Sequence, residues 1–236
     1  MSENKTGKYL KYGIGEILLV MIGILLALQV NNWNEEQKKV QVEINTIIDI
    51  KSDIQENIQN LEKGIAHLEI TAQNTLVVLD YYQQKKSYSN IDQEIFKDFF
   101  GIWDPDFTYA AFENLKNQGV NLVSNKSLRK SLIKLHEVDM NILDVSEVSR
   151  INLIHESMIL PILKKYFYRK KNPENNEWEL VVSDYDNMIN DPEFYSTLTE
   201  IAHRQDRSIK RFRIFNIKAR EIISQINKEL NILGYD

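Results

Sequence analysis

Four histidines are scattered along the chain, at His67, His136, His155 and His203, and two of them precede a glutamate, as His136-Glu137 and His155-Glu156. Zinc hydrolases of the H-E-x-x-H type need a second imidazole one helical turn later, so that both rings face one ion. Met140 and Ile159 occupy those positions instead. The metal reading fails, and the histidines read as solvated or capping residues. Asp104-Pro105-Asp106 and Asp184-Tyr185-Asp186 space carboxylates as calcium loops do, but the later glycine and distal glutamate of an EF-hand are missing. They read as turn and capping aspartates. Gly13-Ile14-Gly15 begins a G-x-G-x-x-G pattern that Leu18 breaks, and no strand precedes it, so no dinucleotide turn is expected. With no cysteine in the chain, thiolate ligands, cysteine nucleophiles and disulfides are excluded. No nucleophile elbow, Walker sequence or kinase signature is found. The residues nominate no catalytic group, no metal and no cofactor, and the expectation is a protein that is not an enzyme.

Two clusters stand above this background. Arg204, Arg207, Lys210, Arg211, Arg213, Lys218 and Arg220 follow one another with only Asp206 and Glu221 among them, and Phe212 and Phe215 are interleaved. Nucleic-acid surfaces use such stripes for phosphates. Here the aromatics keep the phase of a buried helix face, so no nucleic acid is expected. The stripe should instead meet acidic segments of its own bundle, with Glu43, Asp49, Asp53, Glu56 and Glu62 on one side and Glu137, Asp139, Asp144 and Glu147 on another. The alternative is an anionic partner or lipid headgroups at Arg204, Arg207, Lys210, Arg211 and Arg213. The second cluster is aromatic: Phe96, Phe99, Phe100, Trp103, Phe107, Tyr109 and Phe112. It is too dense for one helix face and should cap the core where short helices turn back. Its functional alternative is an apolar docking patch of Trp103, Phe107 and Tyr109 with Asp104 and Asp106 at the rim.

The element that positions these residues begins with Tyr12–Trp33. From Ile17 to Leu28 this stretch is apolar apart from one glycine, and as a helix it covers about 30 Å, one hydrocarbon core. Tyr9, Tyr12 and Trp33 then fall at the two headgroup levels, where amphipathic rings prefer to sit. Lys5, Lys8 and Lys11 precede the span, whereas Glu35 and Glu36 come after it, before Lys38 and Lys39. The positive-inside rule puts residues 1–11 in the cytoplasm, 12–33 across the membrane and 34–236 outside the cytoplasm. A cleaved signal peptide is the competing reading, but the apolar run is long and Ala27-Leu28-Gln29 offers no A-x-A site. An uncleaved signal anchor is expected. Gly15, Gly23 and Ala27 share nearly one face, and Gly23-x-x-x-Ala27 would let a second helix approach closely. Glu16, within a turn of the cytoplasmic edge, either snorkels toward Lys8 and Lys11 or meets a polar group of an oligomer or partner span.

The anchor also carries a resemblance. Gly15-Glu16-Ile17, Leu19-Val20, Ile22-Gly23-Ile24, Ala27-Leu28-Gln29 and Asn31-Asn32-Trp33-Asn34-Glu35 resemble the opening motif of an uncharacterised family, a domain of unknown function, of single-span membrane proteins from Bacteroidetes-type bacteria. Thr108-Tyr109, Leu115-Lys116, Gly119, Asn125-Lys126 and Leu128-Arg129 resemble that family's second motif. The resemblance implies this architecture and no activity.

Eight glycines and four prolines in 236 residues are few, which argues for helices with short connections and an all-α class. Ile47, Ile54, Ile58, Leu61, Ile65, Leu68, Ala72 and Leu79 keep heptad spacing, with Lys51 and Thr75 as imperfect positions. This predicts one long helix from about Asn34 to Gln84, fused to the span or not. A short helix at Asp92–Phe100, another at Tyr109–Asn117 capped by Thr108 and ended by Gly119, and a long one from Lys126 should come next. That last helix should bury Leu128, Leu132, Leu135, Val138, Ile142 and Val145, kink at Pro161 and end near Tyr168. Trp178–Val182 reads as an extended piece without a partner strand. Asp191-Pro192-Glu193 starts a final helix whose seam runs from Phe194 to Leu233 and stops at Gly234.

The expected architecture is an antiparallel helical bundle whose first helix is the stalk of the anchor. This points to a structural or interaction protein, with the lipid bilayer and either a homo-oligomer or a partner membrane protein as its partners. The other class is a ligand-sensing bundle. With so few residues before the span, it would need that partner to signal.

Overall fold

The computed structural model describes residues 5–235 apart from Asp98, Glu174 and Asn175, with the side chains of residues 5–12 and 145–148 outside that description. Tyr9 and Tyr12, expected as interface rings, and Val145, expected as a seam residue, therefore lie outside the described side chains.

Helix α1 runs without interruption from Lys5 to Gln84, so span and stalk are one helix. No proline lies within it, and every backbone N–H beyond the first turn can meet its carbonyl. It ends in a Schellman turn in which the Lys86 N–H donates to the Tyr81 carbonyl at 3.1 Å and Lys85 adopts φ +49°. That conformation usually selects glycine. Here Lys85 is held there by donating its ammonium to the Ile189 carbonyl at 2.5 Å.

Single 3-10 turns at Tyr88–Asn90 and Gln93–Lys97 replace the expected Asp92–Phe100 helix. An extended segment then returns along α1 to helix α2 (Ala110–Gln118) and a turn closed by Gly119 at φ +99°. Thr108 does not cap α2. Tyr109 occupies that position without a side-chain cap, and the carboxylate of Asp53 on α1 accepts from the Ala111 N–H at 2.8 Å instead. Helices α3 (Lys126–Lys134), α4 (Val148–Ile154) and α5 (Leu160–Tyr166) form one helical path joined by π-helical turns at Leu135–Met140, Ile142–Glu147 and His155–Ile159. Asn125 caps its start, accepting from the Ser127 and Leu128 N–H groups. A π turn adds a residue to the repeat and rotates the next turns about the axis. Val138 and Ile142 therefore point outward, 47% and 44% exposed, while Met140 and Leu143 are buried. Heptad counting puts the first pair in the core, and the widened turns correct it. Pro161 falls in the first turn after the third π segment.

The path ends at Tyr166, two residues short of the expected end, because Phe167–Lys171 forms strand β1. It pairs antiparallel with β2 (Trp178–Val182), Phe167 opposite Val182 and Lys171 opposite Trp178. The extended piece thus does have a partner, hidden where the sequence reads as a helix end at Tyr168 followed by a polar exposed loop over Arg169–Asn176. After the short α6 (Tyr185–Met188), helix α7 runs from Pro192 to Ile232 with Asp191 accepting from the Glu193 N–H. It ends in a second Schellman turn, with Gly234 at φ +83°.

Among the described residues the chain is all-α apart from this hairpin. Glu62 and Glu69 of α1 pair with Arg220 and Arg213 of α7, which makes the two helices antiparallel. A larger core near the α1 exit gathers Ile47, Ile54, Leu61, Phe112, Phe212 and Ile226. A second core at the far end gathers Val78, Phe96, Phe99, Tyr166 and Phe194. Each fully buried aliphatic or aromatic side chain adds roughly 1.5–3 kcal/mol. The aromatic cluster is thereby divided between the two cores.

Candidate functional site

Residues 16–39 of α1 are all exposed, half-buried Val40 is the first to pack on the larger core, and full burial begins at Glu43 and Ile44. The apolar window of this helix is long and apolar enough to cross a membrane, and none of it is buried. A Cβ built on Gly15 or Gly23 meets nothing within 4 Å, so no close packing within the described residues requires a glycine there. Glu16 and Ala27 are likewise exposed on this free helix, and Trp33 is exposed at its outer end. Between Trp33 and Val40 lies about 10 Å of single helix, polar and braced by Glu35–Lys38 and Glu36–Lys39 pairs at 3.0 and 2.9 Å. At the base of the bundle, two buried carboxylates hold the turn into α3. Glu43 accepts from the Ser124 N–H and hydroxyl, and Glu229 accepts from the Asn125 amide at 2.6 Å.

The polar residues within the apolar seams serve the returning segment 99–111. An extended segment without a neighbouring strand must satisfy its backbone through side chains. Asn57, almost fully buried, accepts from the Thr108 N–H at 2.8 Å and donates to its carbonyl at 2.9 Å. Asn60 donates to the Asp106 carbonyl, and Thr75 to the Phe99 carbonyl. From α7, Gln205 donates to the carbonyls of Gly101 (3.0 Å) and Phe99 (3.4 Å). Gly64 lets the Trp103 indole lie directly on α1, since a Cβ there would overlap the ring.

Of the expected docking patch, Phe107 and Tyr109 stay in ring contact with centroids 6.2 Å apart, and both pack with Trp103 on the larger core. Phe107 is buried against Phe215, with ring centroids 5.5 Å apart. Tyr109 donates its hydroxyl to Asp144 at 2.7 Å, and burial followed by that carboxylate pushes its ionisation well above the ordinary tyrosine range. Asp104 and Asp106 stay exposed. Partial burial, then the charges of Asp144 and Asp106, raise the Asp104 carboxyl above its usual range. Trp103 lines a cavity together with Leu68, Ile102, Ile151, Ile154, Ile159, Ile201, Arg204, Gln205 and Ser208. It lies between the two cores and has the third π turn in its wall. Gln205 is a polar residue at a seam position of α7 and Gly64 a small residue beside the α1 seam, and these were the sequence signals for this site.

His136 departs from its reading as a solvated or capping residue. It is buried and stacked on Phe112 at 4.1 Å and 7°, with Nδ1 2.9 Å from the Leu132 carbonyl. Burial, outweighing that carbonyl and the nearby carboxylates of Asp53, Glu137 and Glu113, holds its ionisation below the ordinary histidine value.

The basic stripe is met by carboxylates along its length. Arg204 pairs with Glu200 and Lys210 with Asp206 on α7 itself, Arg213 and Arg220 reach Glu69 and Glu62 on α1, and Lys218 reaches Asp139 at 2.5 Å. Arg207 is half-buried, and Arg211 also has partners. Among the described residues no group of acidic or histidine side chains is arranged to hold a metal ion. No family model matches the chain, and neither does any curated protein or solved structure.

Proposed function

We propose that this chain is a membrane-anchored structural or interaction protein, a scaffold or adaptor without catalytic activity. In this reading α1 crosses a bacterial inner membrane with its N-terminus in the cytoplasm, and the bundle stands off the bilayer in the periplasm on a single-helix stalk. Its partners are the lipid bilayer and either further copies of itself or another membrane protein, through Glu16 and the Gly15/Gly23/Ala27 face. Nucleic acid has no part in it. The observation that carries the reading is the complete exposure of an all-round apolar helix segment that is continuous with a well-packed bundle. Such surface in water is strongly unfavourable and calls for an apolar phase. The resemblance of the anchor motif to single-span proteins agrees with it.

Topology is tested with a single introduced thiol, because the chain has none. Ser87→Cys, at the far end of the bundle, should react with an impermeant maleimide in intact spheroplasts. Labelling only after lysis overturns the periplasmic placement. Native mass determination of the gently extracted protein then separates a homo-oligomer from an adaptor holding a stoichiometric second protein. Ligand sensing through a partner membrane protein is the second reading. It is favoured by the cavity between Trp103 and Gln205, because Leu68 in its wall belongs to α1, the helix that leaves the bundle toward the span.

A further inference from the structure

We propose that the cavity between Trp103 and Gln205 is a binding site for a small neutral aliphatic molecule carrying one hydrogen-bond donor, of which a short-chain alcohol is the simplest form. Gln205 is 2% exposed, and its amide N–H groups are committed to the carbonyls of Phe99 and Gly101. Those two bonds set the orientation of the amide and leave Oε1 as a buried acceptor with no partner among the described residues. The indole Nε1 of Trp103 is a buried donor in the same condition. Buried polar atoms are nearly always paired, and an orphan in the wall of a cavity points to a partner from outside the chain.

The rest of the wall selects that partner. Leu68, Ile154, Ile159 and Ile201 are buried and apolar, so the bulk of the ligand is aliphatic. A carboxylate has no proton to give Oε1, and Arg204 at the cavity disfavours an ammonium. A hydroxyl gives a proton to Oε1 and keeps lone pairs for an indole N–H. The cavity is partly open to the surface and measures about 30 Å³, room for a hydroxymethyl-sized group, since one water needs about 10–15 Å³. Ile102 and Ile151 extend the apolar wall for a short alkyl chain. The π turn at His155–Ile159 supplies a wall with an irregular hydrogen-bond ladder, a feature that recurs at functional sites.

Binding at this cavity does not depend on the sensing reading; only the transmission of a signal after binding rests on it. The test uses the full chain in lipid nanodiscs with Trp33→Phe and Trp178→Phe, which leaves Trp103 as the sole indole. Ethanol, 1-butanol and 1-hexanol are titrated while the Trp103 indole N–H resonance and emission are monitored, with 1-fluorobutane as the donor-free control. The expected result is a saturable shift with an optimum chain length, weakened about tenfold in the fluoroalkane and abolished by Ile201→Phe, which fills the cavity and leaves the Gln205 bonds in place. Gln205→Leu should weaken alcohol binding by a similar factor. If that variant loses its fold, Ile201→Phe still decides. A linear response that Ile201→Phe leaves unchanged would mean solvent or lipid partitioning, and would overturn the site. Equal affinity for the fluoroalkane would overturn the donor requirement. Saturable binding that leaves the distance between spin labels on the stalk and on α7 unaltered would keep the site and remove the sensing reading.

Discussion

Along α1, Leu19, Leu25 and Leu28 are 72%, 59% and 53% exposed, whereas Ile47, Ile50 and Leu61 are fully buried. Both stretches belong to one helix with the same backbone hydrogen bonds. They differ in the arrangement of polar residues. Beyond Ile44, lysine, glutamate and glutamine fall between the apolar positions, and one stripe is covered chiefly by α7 and α2. Before Trp33 the apolar residues surround the axis, and a bundle that covers one face cannot serve them. In the proposed reading, burial is thus divided between two solvents: the bundle's own core and an apolar phase outside the chain.

The comparison breaks most visibly in the span. Ile22→Asp combined with Leu25→Asp places charges where each costs about 2.5–3.5 kcal/mol on insertion scales. Carbonate extraction should then find the chain outside the membrane fraction, its bundle still melting cooperatively. Retention in the membrane would count against the anchor. The converse substitution is Leu61→Ala, which should lower bundle stability by about 2–5 kcal/mol and leave membrane fractionation unchanged. Gly64→Ala drives a methyl into the Trp103 indole and should cost about 1–3 kcal/mol, with a change in Trp103 emission that a merely looser helix would not produce. Asp53→Ala removes the cap that α1 lends to α2, at about 1 kcal/mol by denaturant unfolding. The smallest effect is read through pH. Because burial depresses the His136 ionisation in the folded state, the unfolded chain binds its proton more readily. The stability this group contributes is complete above its ordinary value of 6.5 and is lost as pH falls through its lower folded value. His136→Phe should flatten the decline in melting temperature over that acid range, and an unchanged slope would assign it to other groups.

Much of the fold was legible because helix signals are local. Asp191-Pro192 and Asn125 cap where the side-chain chemistry requires, Gly234 ends α7 with positive φ, and the α7 seam from Phe194 to Ile226 is buried residue by residue. Other features escaped a local reading. Lys85 performs a glycine's task at the end of α1 only because Ile189 offers its ammonium a carbonyl. Phe167 and Tyr168 read as the tail of a helix and Arg169–Lys171 as the start of a polar exposed loop, because a strand is recognised by its partner, and that partner lies beyond the loop. The π turns shifted Val138 and Ile142 out of the core, and no spacing rule reports where a turn widens.

The candidate site divides in the same way. The exposed anchor comes from composition alone, since twelve consecutive residues from Ile17 to Leu28 that are almost wholly apolar need no tertiary partner to be helical or to avoid water. The complementarity of the basic stripe was readable only in part: Glu62 and Asp139 do meet it, whereas Asp53 and Asp144 accept from Ala111 and Tyr109 instead, and Glu69, Glu200 and Asp206 supply the other pairs. Tertiary structure alone decided which stripe residue meets which carboxylate. It likewise decided that Asn57, Thr75 and Gln205 exist to hold an extended segment, and that Trp103 and Gln205 share a cavity between two cores. Sequence determines what each segment must hide from water. Which orphan groups end up facing one another depends on how segments distant along the chain are packed, and only the folded arrangement contains that information.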